Sequence, residues 1–464
     1  MLSKNRGKVA LISVHGDPAV NIGKEEAGGQ NVYVRQVGEA LARQGWQVDM
    51  FTRRSDAEQP EIVEHSPNCR TIRLTAGPQK FVPRQKIFNY LPEFVKAFIN
   101  FQHQQKTIYP LIHTNYWLSA WVGMEIKKVQ TVRHLHTYHS LGAVKYRSVT
   151  TVPLIAKTRL RVEKQCLETA DMIIATSPQE QEHMRSLLDA VLKDTAPHIA
   201  HGGNHGSRSL LETNKIALPP QDRAASLVST KGNITVIPCG TDIECFGSID
   251  RQSGRAKLGI NPEDKVVMYA GRFDERKGIE TLVRAIAREE VKSHQNLKLI
   301  IVGGYTPGES DGQEKERIAN IVQELGIEDI TKFAGRVQHQ DLAAYYAAAD
   351  LCVVPSHYEP FGLVAIESMA ARTPVVASDV GGLKFSVVDQ VTGLLVPPQD
   401  EAAFAQAINS ILSSPKWREQ LGNNARKRVE AKFSWNGVAN QLDQQYLSEL
   451  SNLYAELGLL NPAV

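Results

Sequence analysis

A tandem of two doubly wound α/β domains is the fold class this sequence predicts, and three observations predict it. Short apolar runs alternate with amphipathic helical stretches nearly throughout, the alternation restarts after about residue 233, and 464 residues suffice for two or three domains with full cores. In order, the first half offers the strands "VALISV", "VDMFTR", "LIHTN", "MIIATS" and "ITVIPCG". They are separated by stretches such as "NVYVRQVGEALARQ", where Val32, Val37, Ala40 and Leu41 share one helical face. The opening "KNRGK" ahead of "VALISV" imitates a secretion signal, but the apolar run is short and ends in His15, Gly16 and Asp17, as a first strand does. In the second half "KVVMYAG", "LKLIIVGG", "KFAG", "LCVVPS" and "PVVASD" are each followed by a helix candidate. Between the halves, residues 190 to 231 are polar and rich in Gly, His, Ser and Pro, which predicts a long, mobile surface insertion. In the tail, Val438, Leu442, Tyr446, Leu450 and Tyr454 recur at helical spacing and no strand follows, so this helix is expected outside the second sheet. The domains are accordingly set at 1–232 and 233–436, with segment 437–464 assigned to complete the first.

Charge and cysteine content narrow the function. With 53 Lys+Arg against 50 Asp+Glu, a net charge of +3 gives no argument for nucleic acid, so any anion must be met by local clusters. Five cysteines, an odd number with no CxxC pairing, point to a reducing cytoplasm rather than a secreted disulfide framework. No run approaches the roughly 20 apolar residues of a spanning helix, so no membrane partner is expected.

In a pair of facing α/β domains, ligands bind in loops after strands. Three such loops carry chemistry. In "GGQNVYV", Gly28 and Gly29 let the backbone approach a ligand and the helix from about Asn31 directs N–H groups at it; a plain turn is the alternative. Neither GxGxxG nor GxxxxGK[ST] is present, which weakens dinucleotide and P-loop readings. In "AGRFDERKG", Arg272 and Lys277 stand at a strand exit, where fixed cations can hold a diphosphate and neutralise it as it leaves; a solvated charged loop is the alternative. The third stretch is "SHYEPFGLVAIESMAARTPVVASDVGG". A helix from Phe361 or Gly362 would present the amides of Leu363 and Val364 to the cleft. Glu359 in the loop could accept from a sugar hydroxyl and Glu367, set among apolar residues, from a ribose diol. His134, His136 and His139 in "HLHTYHS" suggest a metal set, but alternating strand residues are expected to point to opposite faces and no further ligands accompany them; no metal site is assigned. His198, His201 and His205 are read as solvated loop residues.

"AGRFDERKGIETLVRA", the Glu359–Glu367 stretch and "TGLLVPP" resemble the nucleotide-sugar half of the retaining family 4 glycosyltransferases, which have the GT-B fold of two Rossmann-like domains across a cleft. "AGGQNVYV", "HTNYWLSA", "HTYHSLGAVK", "RVEKQCLETADMIIATS" and "KFVPRQKIFNYLPEF" resemble the acceptor half of sucrose-phosphate synthases and, less well, of sucrose synthases. "HTNYWLSA" is nearer to inositol-phosphate glycosyltransferases, the insertion is unfamiliar, and no phosphatase-like domain follows. The resemblance implies transfer of glucose from UDP-glucose, or another nucleoside diphosphate glucose, to fructose 6-phosphate with retention, and a separate phosphatase acting on the product. It implies that Arg272 and Lys277 bind the diphosphate, that Glu359, Phe361, Gly362, Leu363 and Val364 hold the glucose, and that Glu367 takes the ribose. Gly29 and Gln30 would contact both sugars, His139 would sit at the reacting face, and Tyr116, Lys145 and Arg161, with Lys80 or Arg84, would line the acceptor pocket. No cofactor is required on this reading; Mg2+ would stimulate at most without binding as a catalytic metal. The rivals are a sucrose synthase using free fructose, an inositol-phosphate glycosyltransferase, and a non-catalytic sugar-phosphate binding protein.

Overall fold

The computed structural model describes residues 6–20, 28–146, 152–195 and 233–459. Most of the expected insertion, including His198, His201 and His205, lies outside the described residues.

The first sheet has eight strands: β1 (Gly7–Ile12), β2 (Trp46–Arg53), β3 (Ile62–Ser66), β4 (Cys69–Leu74), β5 (Leu111–Asn115), β6 (Arg133–Thr137), β7 (Met172–Ala175) and β8 (Ile234–Val236). Their order is β3-β4-β2-β1-β5-β6-β7-β8, parallel except where β3 runs antiparallel to β4 at the edge. The second sheet comprises β9 (Lys265–Ala270), β10 (Leu297–Val302), β11 (Thr331–Gly335), β12 (Leu351–Val354), β13 (Val375–Ser378) and β14 (Gly393–Val396), all parallel in the order β11-β10-β9-β12-β13-β14. Continuous apolar runs suit strands covered by helices on both faces, and β5, β7, β12 and β13 are buried along their whole length. Sequence patterning passed over β3, a half-exposed edge strand carrying Glu64 and His65, and the buried β4, whose apolar run is broken by Arg70 and Arg73.

The two domains are joined twice. The chain enters the second after β8, and returns through Phe433 and Ser434, where the Thr241 amide donates to the Phe433 carbonyl at 2.7 Å. Ser434 Oγ accepts from the Gly437 amide at 3.0 Å and caps the helix Trp435–Glu456. That helix lies against the first domain. The Trp46 indole donates to Asp443 Oδ1 at 2.8 Å, His113 Nδ1 meets the Tyr446 hydroxyl at 2.6 Å, and Arg133 reaches Glu449 at 3.8 Å. No helix among the described residues is long and apolar enough to cross a membrane.

Candidate active site

In each sheet the strand order reverses at a switch point, between β1 and β5 in the first and between β9 and β12 in the second. At such points the loops leaving neighbouring strands diverge and open a crevice. The loops after β1, β5 and β6 face those after β9 and β12. They approach closely at Gly29, where a β-carbon would stand 2.8 Å from Leu363 Cδ1. Gly28 meets no such neighbour, so of the pair it is Gly29 whose missing side chain lets the domains meet.

On the second-domain side, Gly271 follows the end of β9 and Arg272 is exposed. Asp274 caps a single 3₁₀ turn, Glu275–Lys277, and Gly278 closes it with φ +66° under the carbonyl of Pro355. This turn delivers Lys277 Nζ to Glu359 Oε2 at 2.5 Å. Gly362, at φ +90°, starts the helix Leu363–Ala370, leaving the amides of Leu363 and Val364 without intrahelical acceptors. Phe361 is buried against Phe433 with ring centroids 5.8 Å apart. Glu367, four residues into the helix, accepts from the Tyr346 hydroxyl at 2.9 Å. Burial raises its carboxyl pKa, against a lowering by His339 and Tyr346.

In the first-domain loops at the cleft, Tyr116 at φ +74° and His139 at φ +58° adopt the left-handed region. Such backbone is costly and marks positions the surroundings hold in place. The Asn115 amide nitrogen donates to the His113 carbonyl at 3.3 Å, so its oxygen faces His139 and accepts from Nε2–H at 2.8 Å. Nδ1 is then the lone-pair nitrogen. Desolvation holds the imidazole down to about 3, hence neutral. Gln30 Nε2 donates to Ser13 Oγ at 3.0 Å and more weakly to the Asn115 carbonyl at 3.3 Å.

Beside Tyr116 opens a cavity of about 430 Å³ whose cations are Arg84, Lys145, Arg159 and Arg276. The Arg159 guanidinium is held by Glu163 at 2.7 Å and donates to the Tyr116 hydroxyl at 3.1 Å, 5.0 Å from that ring's centre. Arg84 lies 5.8 Å over the same ring. Burial, then Arg276, Arg159 and Arg84, press the Lys145 pKa down to about 7.

Two expected pocket residues are elsewhere. Arg161 is exposed and Arg159 takes its place, because in helix Ala156–Thr169 the buried face runs through Arg159, Val162, Glu163 and Cys166, and Arg161 is two residues off it. The i,i+4 pair Arg159–Glu163 was the legible sign. Lys80 is also exposed and is engaged through its backbone, its carbonyl accepting from Arg53 at 2.8 Å and its amide donating to the Pro78 carbonyl at 2.8 Å. The opposite-face argument for the histidines fails as well. His134 and His136 are two residues apart on β6, share a face, and lie with Cys166 in one cluster with ligand atoms within 4.8 Å. Both rings are buried and bond Thr114 Oγ1 at 2.7 Å. Asn115, Tyr346 and Arg276 were not anticipated; each became visible only as a contact between distant segments.

Residues 250–428 match the family described as glycosyl transferases group 1, and residues 28–191 the glycosyl transferase 4-like domain. Two facing Rossmann-like domains with this cleft make the protein a GT-B glycosyltransferase. A D-inositol 3-phosphate glycosyltransferase of Kineococcus radiotolerans is 32% identical over 97% of this chain and 97% of its own. The structure of sucrose-phosphate synthase from Thermosynechococcus elongatus is 48% identical and covers 96% of this chain and 100% of that one, with a TM-score of 0.79. The chain therefore belongs to the group 1 glycosyltransferases. HepE of Anabaena, solved with UDP and glucose, is 20% identical over 94% of this chain and 98% of its own at a TM-score of 0.65, a likeness of fold alone.

Proposed function

We propose that the protein transfers glucose from UDP-glucose to fructose 6-phosphate with retained configuration, forming sucrose 6-phosphate. The observation that carries this reading is the cationic cavity beside Tyr116, where Arg84, Lys145 and Arg159 line a space that, among the described residues, no carboxylate lines. A dianionic phosphate ester is the complement of such a pocket, whereas free fructose brings no charge to meet its cations. The likeness to sucrose-phosphate synthase supports the same acceptor.

On this reading the acceptor hydroxyl attacks the anomeric carbon from the side the nucleoside diphosphate leaves. The bond from that carbon to the phosphate oxygen breaks, the bond to the acceptor oxygen forms, and the hydroxyl proton passes to the leaving phosphate oxygen. Arg272 and Lys277 stabilise the charge on that oxygen, and Glu359 and the amides of Leu363 and Val364 position the glucose. In the structure Lys277 rests on Glu359, so the incoming diphosphate competes for a cation already fixed in place.

A second reading is favoured by the inositol-phosphate relatives and shares the phosphate pocket. A matrix of kcat/KM values decides: UDP-, ADP- and GDP-glucose against fructose 6-phosphate, fructose and inositol 3-phosphate. The expected result is preference for fructose 6-phosphate over fructose by at least about 100-fold, or roughly 2.7 kcal/mol. Preference for inositol phosphate installs the second reading, and preference for free fructose removes both.

A further inference from the structure

We infer that Arg276, a residue of the donor domain, completes the acceptor's phosphate site from across the cleft, a role that rests on the acceptor being a phosphorylated sugar. Among the described residues lining the cavity, Arg276 alone belongs to the second domain; Arg84, Tyr116, Lys145 and Arg159 all come from the first. The acceptor pocket is therefore walled by the first domain and finished by the second.

The guanidinium is held ready for this. Asp274 Oδ1 accepts from the Arg276 amide at 3.1 Å and from its Nε at 3.0 Å, and Oδ2 accepts from Nη2. Among the described residues nothing hydrogen-bonds Nη1, so one carboxylate occupies one edge of a five-donor fork. The Arg276 carbonyl accepts from the His357 amide at 2.8 Å, which ties the turn to the loop that carries Glu359. Charge points the same way. Arg159 is matched by Glu163 and Arg276 by Asp274, yet neither carboxylate lines the cavity. After burial, Arg276 is the largest influence depressing the Lys145 ammonium, which shows the two cations to be neighbours across the cleft. A phosphate placed between them would relieve that repulsion.

The position of Arg276 in the chain adds a consequence. It adjoins Lys277, which meets the donor diphosphate on the reading above, so one short turn serves both substrates. Arg276 would then bind the acceptor phosphate only with the turn in its donor-ready place, and acceptor affinity would depend on the domains being closed.

The test uses the full chain with Arg276→Gln and Arg276→Lys. Three quantities are read: KM for fructose 6-phosphate, Ki for inorganic phosphate competing with that acceptor, and Kd for UDP. Arg276→Gln should raise KM and the phosphate Ki together by about tenfold or more while UDP affinity stays within about twofold, and Arg276→Lys should recover part of both. If wild type shows no preference for a phosphorylated acceptor, the phosphate-site reading falls and this inference falls with it. If wild type has that preference and Arg276→Gln leaves KM and the phosphate Ki within about twofold, the inference alone is overturned. A loss of UDP binding in parallel with acceptor binding also overturns it, since Arg276 would then act on the donor side.

Discussion

At the scale of single residues the site works through fixed charge. Arg272 and Lys277 are the cations at the exit of β9, and one of them already touches Glu359. Their value lies in the charge that develops as the diphosphate leaves, so Arg272→Ala or Lys277→Ala should lower turnover about 100-fold or more while nucleotide affinity changes far less. Product formation at saturating donor checks this, and near-normal turnover in both variants removes them from the mechanism. Lys145 supplies a pH dependence. Its pKa is pressed down to about 7, so the ammonium is present below that pH and lost above it in the free protein. The sugar phosphate is already dianionic above about pH 6, and kcat/KM reports the free enzyme. Accordingly kcat/KM for fructose 6-phosphate should decline above neutrality, towards tenfold per pH unit. Lys145→Arg, charged throughout, should level that limb. A wild-type profile flat between about pH 7 and 9 would detach Lys145 from the acceptor.

At the scale of elements, the turn after β9 and the helix after β12 set the geometry. Gly278 is the joint between them. A β-carbon there would lie 2.0 Å from the Pro355 carbonyl oxygen, at a backbone φ of +66°. Neither obstacle is a flexible side chain that could step aside. Gly278→Ala should therefore cost about 1–3 kcal/mol of stability and displace Lys277, lowering turnover as well. Urea unfolding measures the first part; a midpoint unchanged from wild type would mean the turn is softer than its contacts imply. Gly29→Ala offers a contrast. Its new methyl would meet the tip of Leu363, a side chain that can rotate, so stability should hold while closure, read as KM for both substrates, suffers.

At the scale of the whole molecule, catalysis depends on two domains presenting opposite halves of one site. On the proposed reading, cations from Arg272 and Lys277 on one side, and from Arg84, Lys145 and Arg159 on the other, would do what a divalent ion does for a diphosphate or a phosphate ester. Activity is thus expected to survive excess EDTA with at most a modest change. Complete loss, restored by adding back metal, would show that the protein's own cations are insufficient. The helix Trp435–Glu456 belongs to this scale too: it carries the chain's end back to the first domain, so the two lobes are tied at both crossings.

The sequence by itself determined the fold class and the division into two α/β units, and it held the motifs from which the donor side is proposed. Those are local properties: buried strands declare themselves by continuous apolar runs, and Arg272, Lys277, Glu359 and Glu367 lie in compact motifs at strand ends and helix starts. Only tertiary structure decided the acceptor side. Arg159 rather than Arg161 enters the pocket because helical phase, not proximity in sequence, selects the buried face. Lys80 stays outside because its segment is anchored through its backbone. Glu367 among apolar neighbours looked unsatisfied until Tyr346, twenty-one residues away in sequence, was seen to meet it. Arg276 looked like one more charge in a basic loop and belongs to the cavity of the opposite domain. Periodicity and spacing describe what a segment does with its own neighbours, whereas a cleft is made of side chains from segments hundreds of residues apart, and their meeting is fixed only when both cores have packed.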